Sequence, residues 1–211
     1  GHILGALNFP IELTYENKVE NGKLTNPVKM QTIIRNLGLT PNDSIVIYDK
    51  GSFFDAARLF WALEVYGFTN VKLLNKGYDS WSNTQYPTDI NIPQVTASNY
   101  IVKINNQRLA TKFTTQIASK NPNQIIIDAR PKKAYIGKVS AASRFGHIPK
   151  AINFPASHNI NYEQNSNQLK TIDNLIKEAP NKESFEKFDF FSNLEIEYDE
   201  IKDNVEKSLL D

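Results

Sequence analysis

Cysteine is absent from this chain of 211 residues. Its absence excludes disulfides, thiolate metal sites and a cysteine nucleophile together. Long apolar runs are also missing; a membrane-spanning helix needs about 20 such residues. No signal peptide is evident in the sequence. Neither sign of charge is in excess, with 24 Lys and Arg against 23 Asp and Glu. A net charge of +1 offers no global attraction to nucleic acid or an anionic membrane, so neither partner is expected. His2, His147 and His158 have no second ligand at metal spacing. No metal and no cofactor are therefore expected. The chain begins at Gly1, inside a motif, and its single Met is Met30. The expectation is a processed or partial product, with a cleaved leader left open. The compartment is undetermined, and the cytoplasm is favoured.

What the chain does have is a packed-domain composition, 40% apolar and 11% aromatic. Its length fits one large domain or two small ones. It also has a repeat. Gly1-His2-Ile3-Leu4-Gly5-Ala6-Leu7-Asn8-Phe9-Pro10 returns as Gly146-His147-Ile148-Pro149-Lys150-Ala151-Ile152-Asn153-Phe154-Pro155. Seven of the ten positions are identical. Each copy reads as a turn, a short apolar strand and a stop at Asn-x-Pro. The period of 145 residues fits one α/β domain per copy rather than a solenoid.

Between the copies, apolar spacing predicts a helix over Val28–Leu37, stopped by Gly38. Ser44–Asp49 is short, apolar and rich in β-branched residues, the pattern of a buried parallel strand. A loop, Lys50–Asp55, leads to a predicted helix over Ala56–Tyr66 that ends at Gly67. Asn70–Asn75 predicts another strand. Thr96–Ile104 predicts an edge strand, Leu109–Ser119 a helix and Gln124–Asp128 a second buried strand. Pro131–Arg144 reads as a loop carrying Lys132, Lys133, Lys138 and Arg144. Leu169–Lys177 predicts a short amphipathic helix. From Asn181 onward, ten Asp and Glu face four Lys. Tyr198, Ile201, Val205 and Leu209 lie at helical spacing there, predicting a terminal amphipathic helix. Alternating strands and helices with short turns imply α/β with a mainly parallel sheet. The stretch Pro87–Pro93 reads as a linker. It separates domains at 1–88 and 96–211, the second with an acidic C-terminal segment.

With these residues in hand, the chain resembles the tandem rhodaneses, the thiosulfate and 3-mercaptopyruvate sulfurtransferases. The paired Gly-His-Ile-x-x-Ala-x-Asn-Phe-Pro motifs, with Leu7 replaced by Ile152, resemble the family's pre-catalytic motif. Val46-Ile47-Tyr48-Asp49, then Ala57-Arg58-Leu59-Phe60-Trp61 and Tyr66-Gly67, resemble its first domain. Val71–Gly77 with Trp81 resembles the strand and turn that close that domain. Asp128-Ala129-Arg130 before Tyr135-x-Gly137 resembles the opening of the second. The resemblance implies a three-layer α/β/α fold in tandem. It also implies a Cys thiolate at a strand end, cradled by loop and helix amides, that relays sulfane sulfur from a small anionic donor. Asp49 holds that strand end in the first half, and no Cys loop follows Leu169–Lys177 in the second. The family's donor-gripping arginine falls near Ala134. The expectation is a sulfurtransferase-family chain that is itself inactive, alongside a rival reading as a non-catalytic module that docks a protein partner.

The candidate site residues have structural readings too. Asp49 is read as a loop anchor at a pseudo-active-site position, with no residue assigned a catalytic role. Asp128 and Arg130 order a substrate loop or simply their own loop. Arg58 is read as packing and salt bridging. His2 and His147 hold matching turns, and His158 is isolated. The Lys132–Arg144 stretch is read as solvated, and Phe185–Phe191 as packing. Each half lacks a strand that the other has. One expectation is therefore a permuted sheet joining Ile125–Asp128 to Ile45–Tyr48. The favoured one is two incomplete domains.

Overall fold

The protein is described from a computed structural model that places residues 1–17, 22–163, 166–178 and 195–196. The chain divides into two compact units. Unit 1 comprises Gly1–Leu109 with Gln164–Asn167 and Asn193–Asp211; unit 2 comprises Ala110–Glu163 with Gln168–Ser192. The division falls at Leu109, not in the proline-bounded stretch, and segments from beyond residue 160 belong to unit 1. The start of the Pro87–Pro93 stretch is tied into unit 1. Pro87 O accepts from Leu4 N and from the Trp81 indole, and Asp89 lies in a strand.

In unit 1, β1 (His2–Ile3) opens the chain and α1 (Pro27–Asn36) follows. The Asn26 side chain caps α1 by accepting from Lys29 N at 2.9 Å, and Pro27 fills the first turn. Met30 and Ile34 are its buried stripe. β2 (Ile45–Ile47), α2 (Phe54–Val65) and β3 (Val71–Leu74) form a β-α-β unit with β2 and β3 parallel. Ala56, Phe60 and Leu63 bury one side of α2. Gly67 ends it at φ +102°, where a side chain would strike Lys103 O. α3 (Gly77–Ser82) brings Trp81 into a core with Ile3 and Leu74. β1 pairs antiparallel with β4 (Thr88–Asp89).

Unit 2 contains α4 (Lys112–Ala118), β5 (Ile127–Asp128), α5 (Lys132–Tyr135), β6 (Ile152–Asn153), β7 (Ile160–Asn161), β8 (Gln168–Leu169) and α6 (Ile172–Glu178). Thr111 and Thr114 exchange hydrogen bonds in a capping box that starts α4. β5 and β6 are parallel, whereas β7 and β8 are antiparallel. Among the described residues of unit 2, Ala151, Phe154, Ile160 and Leu175 are buried. β9 (Glu195–Ile196), from the acidic stretch, returns to unit 1 and pairs parallel with β3 on the side away from β2.

Several sequence expectations change. The permuted sheet does not form: β5 pairs with β6 and β2 with β3, with no bond between β5 and β2. The Asp128 and Arg130 carbonyls are instead occupied by the second motif through Asn153. Thr96–Ile104 is not a strand. Its groups go to α1 and its neighbours, with Ser98 N donating to Arg35 O and Val102 N to the Gln31 side chain. The strand expected at Gln124–Asp128 shortens to two residues, because β6 offers only two partners. Part of the Pro131–Arg144 loop is helical, as α5. The first motif forms a strand only at its start, and the sheets of the described residues, in which three of five strand pairs are parallel, are small. The terminal helix and the Phe185–Phe191 cluster lie outside the described residues.

Trp81 is fully buried and its indole N–H donates to Pro87 O at 3.1 Å. Trp81→Ala should cost unit 1 about 3–5 kcal/mol. Urea denaturation followed by circular dichroism reads that loss.

Candidate functional site: an occupied anion cradle

The loop between β2 and α2 is built around one carboxylate. Asp49 Oδ1 accepts from Gly51 N at 2.7 Å and Phe53 N at 3.1 Å. Oδ2 accepts from Ser52 Oγ at 3.0 Å and Ala56 N at 3.4 Å. The backbone bends to allow this. Gly51 has φ +125° and Phe53, at the head of α2, has φ +64°, a left-handed conformation that costs a non-glycine residue energy. Phe53 is nonetheless buried, so packing holds it there.

The outer side of the loop is fixed as firmly. Tyr78 N donates to Asp49 O at 2.7 Å and Asp79 N to Lys50 O at 3.3 Å. Gly77 lies backbone to backbone against Gly51. A Cβ on Gly77 would stand 2.4 Å from Gly51 Cα, so only glycine fits. Asn167, also of unit 1, donates its side-chain amide to Gly51 O at 2.9 Å. Gly77 carries a sequence signal, as part of the closing turn. Asn167 carries none, because its contact spans 116 residues.

Arg58, one turn into α2, makes no salt bridge among the described residues. Its Nε donates to Thr14 Oγ1 at 2.7 Å and its Nη2 to Gly22 O at 3.1 Å. The guanidinium lies 3.5 Å from the centre of the Tyr15 ring. The expected ion-pair role becomes cation–π stacking and carbonyl binding, which hold Thr14, Tyr15 and Gly22 against α2. Thr14 and Tyr15 gave no signal in the sequence.

In unit 2, Asp128 and Arg130 form a forked pair. Arg130 Nε reaches Asp128 Oδ1 at 2.9 Å, and Nη2 reaches Oδ2 at 2.6 Å. The same Nη2 donates to Gly146 O at 2.8 Å. The pair therefore clips the start of the second motif to the end of β5. The Arg130 hydrogen bonds hold the Asp128 carboxyl below the usual carboxylate range and push Arg130 up. Asn153 donates to the carbonyls of Asp128 and Arg130. His147 donates Nδ1–H to Tyr135 O at 2.8 Å and stacks on the Tyr135 ring at 3.8 Å. His2 instead holds Ile3 O and Asn91 O, and His158 meets the edge of Phe154. Both motif histidines are thus engaged with backbone carbonyls. Lys132, Lys133, Lys138 and Arg144 are exposed, and Ala134, where the donor-gripping arginine would fall, lies on α5.

Chemically, the β2–α2 loop presents converging N–H donors to one negative charge at a helix start. A thiolate or persulfide placed there would be stabilised by the same donors. A carboxylate fills them but carries no sulfur.

The chain is similar to known proteins over most of its length. The family model described as "Rhodanese-like domain" matches residues 1–84 and again 110–188. The chain belongs to the rhodanese-like domain family, with two such domains in tandem and an α/β rhodanese fold. It is 28% identical over 179 residues to the 3-mercaptopyruvate sulfurtransferase of Escherichia coli K12. That match covers 83% of this chain and 62% of the relative. The crystal structure of Escherichia coli SseA, a 3-mercaptopyruvate sulfurtransferase by its description, superposes with a TM-score of 0.72 over 83% of this chain and 65% of that one. EanB, at 18% identity and a TM-score of 0.71, shares the fold. The chain thus spans less than two thirds of these relatives.

Two outcomes follow for the loops. Asp49→Ala leaves three backbone amides without their acceptor and should destabilise unit 1 by about 1–3 kcal/mol, with Asp49→Asn falling between. Thermal melts of the three proteins rank them. For Asp128, the folded carboxyl lies below its unfolded value of about 3.9. Its stabilising contribution is complete above that value and fades as pH falls through the lower, folded one. Asp128→Asn should abolish that part of the acid dependence. Denaturation midpoints measured across the acid range test it.

Proposed function

We propose that this chain is the cysteine-free framework of a sulfurtransferase acting on a small anionic sulfur donor such as thiosulfate or mercaptopyruvate. One observation carries the reading: the amide cradle at the β2–α2 loop is filled by the Asp49 carboxylate. Sulfur transfer needs a thiolate that attacks the donor's sulfane sulfur, releases the remainder with its electron pair and holds the sulfur as a persulfide. No residue of this chain has a thiol. In the whole protein, sulfur would travel on a cysteine outside these residues. The two units would then supply fold, loop order and the Asp128–Arg130 clip. The sequence similarity to a 3-mercaptopyruvate sulfurtransferase supports this reading.

The purified chain should form no thiocyanate from thiosulfate and cyanide above the buffer rate. Asp49→Cys should add little, because Phe53 and the Gly77 contact leave the loop filled. The product of the complete gene should turn over a donor and lose that activity when its cysteine is changed to Ser. Turnover by the cysteine-free chain overturns the first half of the proposal. A complete product without turnover overturns the second and leaves a non-catalytic docking module.

A further inference from the structure

We propose that residues 98–108 form a strap across the ends of α1 and α2 in unit 1, and that Glu64 makes the grip of that strap respond to protons. The last carbonyls of a helix have no partner within it. The strap supplies partners at both helix ends. Ser98 N donates to Arg35 O at 2.9 Å and Ser98 Oγ to Leu39 O at 2.7 Å, beside the end of α1. Asn105 N donates to Val65 O at 2.7 Å and the Tyr100 hydroxyl to Tyr66 O, at the end of α2. Tyr100 is buried and stacks on Phe68, with ring centres 5.0 Å apart. Arg35 Nε in return donates to Tyr100 O at 2.7 Å.

The last turn of the strap, Asn106–Arg108, is held by a titratable group. The Trp61 indole donates to Arg108 O at 2.7 Å, and Arg108 Nη2 lies 3.1 Å from Glu64 Oε1. Glu64 Oε2 is buried and has no hydrogen-bond partner among the described residues. The Glu64 side chain is 15% exposed, against 36% for Arg108. The carboxylate therefore gives up more water than its partner does. A buried carboxylate with one oxygen unmatched is costly while charged and much less so when neutral. Burial accordingly pushes the Glu64 carboxyl above the usual carboxylate range, and the Arg108 guanidinium offsets only part of this. The other charges nearby are turned elsewhere. Arg58, on α2, is engaged with Thr14 and Gly22. Glu16 pairs with Lys23, and Lys103, on the strap, is exposed.

These contacts fix the sign of the response. When the last turn lifts, Glu64 regains water and its ordinary proton affinity. The docked turn holds the proton more tightly than the lifted one, so protonation favours docking. That contribution is complete below the ordinary value of about 4.3. It is lost as pH rises through the higher, docked value. A latch made by the ion pair alone would respond the other way, because acid would discharge Glu64 and free Arg108.

Trp61 reports on the turn directly. Hydrogen exchange of its indole N–H and of the Asn105 amide is followed by NMR on the full chain. Protection, corrected for the intrinsic rate, should rise several-fold from about pH 7 to about pH 4.5. The Ser98 amide, at the α1 end of the strap, should show no such rise and is the reference for acid effects on unit 1 as a whole. In Glu64→Gln, protection of Trp61 and Asn105 should stay level across the range. Arg108→Gln removes the offsetting charge and should steepen the rise. If Glu64→Gln fails to fold, the unmodified chain read against Ser98 decides. Protection that falls with acid overturns the proposal and leaves a simple ion pair. So does protection that is flat in the unmodified chain, or a rise that Glu64→Gln retains.

Discussion

The Asp49 carboxylate is the interaction on which unit 1 is arranged. A strand that runs into a helix leaves several amides pointing into the turn, and buried amides need acceptors. Here one side chain meets three of them and a hydroxyl besides. Because the loop is drawn inward on that charge, its outer backbone is free to receive α3. Gly77 then approaches Gly51 as closely as backbones can. α3 in turn carries Trp81 into the core beside Ile3 and Leu74. The chain of dependence runs from one charge to one loop, then to one glycine contact and the aromatic core.

The duplicated motif shows how context sets the outcome of a sequence. In unit 2 the run Ile152–Asn153 lies beside β5, and Asn153 binds two of its neighbour's carbonyls. In unit 1 the matching Asn8 is exposed and lies outside any strand. The histidines diverge likewise: His147 holds a tyrosine carbonyl and ring, whereas His2 holds the carbonyls of Ile3 and of Asn91, just beyond β4. Identical local sequence gives a strand only where a neighbouring strand accepts its hydrogen bonds. Propensity proposes, and pairing decides.

That contrast explains what was legible. The β2-α2-β3 unit could be read because its signals are local: β-branched runs, a helical period, and glycines at the stops. Asp49 could be read as a loop anchor because an acidic side chain at a strand end has amides within reach a few residues on. Arg58 was visible as a feature, but its partner was not. Nothing in Thr14 or Tyr15 announces a guanidinium 44 residues away. The return of β9 to β3 was equally hidden, since its partner lies more than 120 residues earlier. Thr96–Ile104 misled because alternation looks the same whether the groups are met by a sheet or by a helix flank.

The cradle bears on what a rhodanese-like loop keeps when no thiol occupies it. A loop of converging amides is stable only around an anion, so the position cannot simply be emptied. The Asp49 carboxylate satisfies the amides and preserves the turn. It also makes the loop self-sufficient, because the charge that fills the cradle is covalently part of it. An external anion would have to displace a tethered one that pays no translational entropy on binding. The same loop geometry that would activate a thiolate is, with Asp49, a structural device. With the Asp49 carboxylate in place, the cradle is occupied and this loop carries no sulfur.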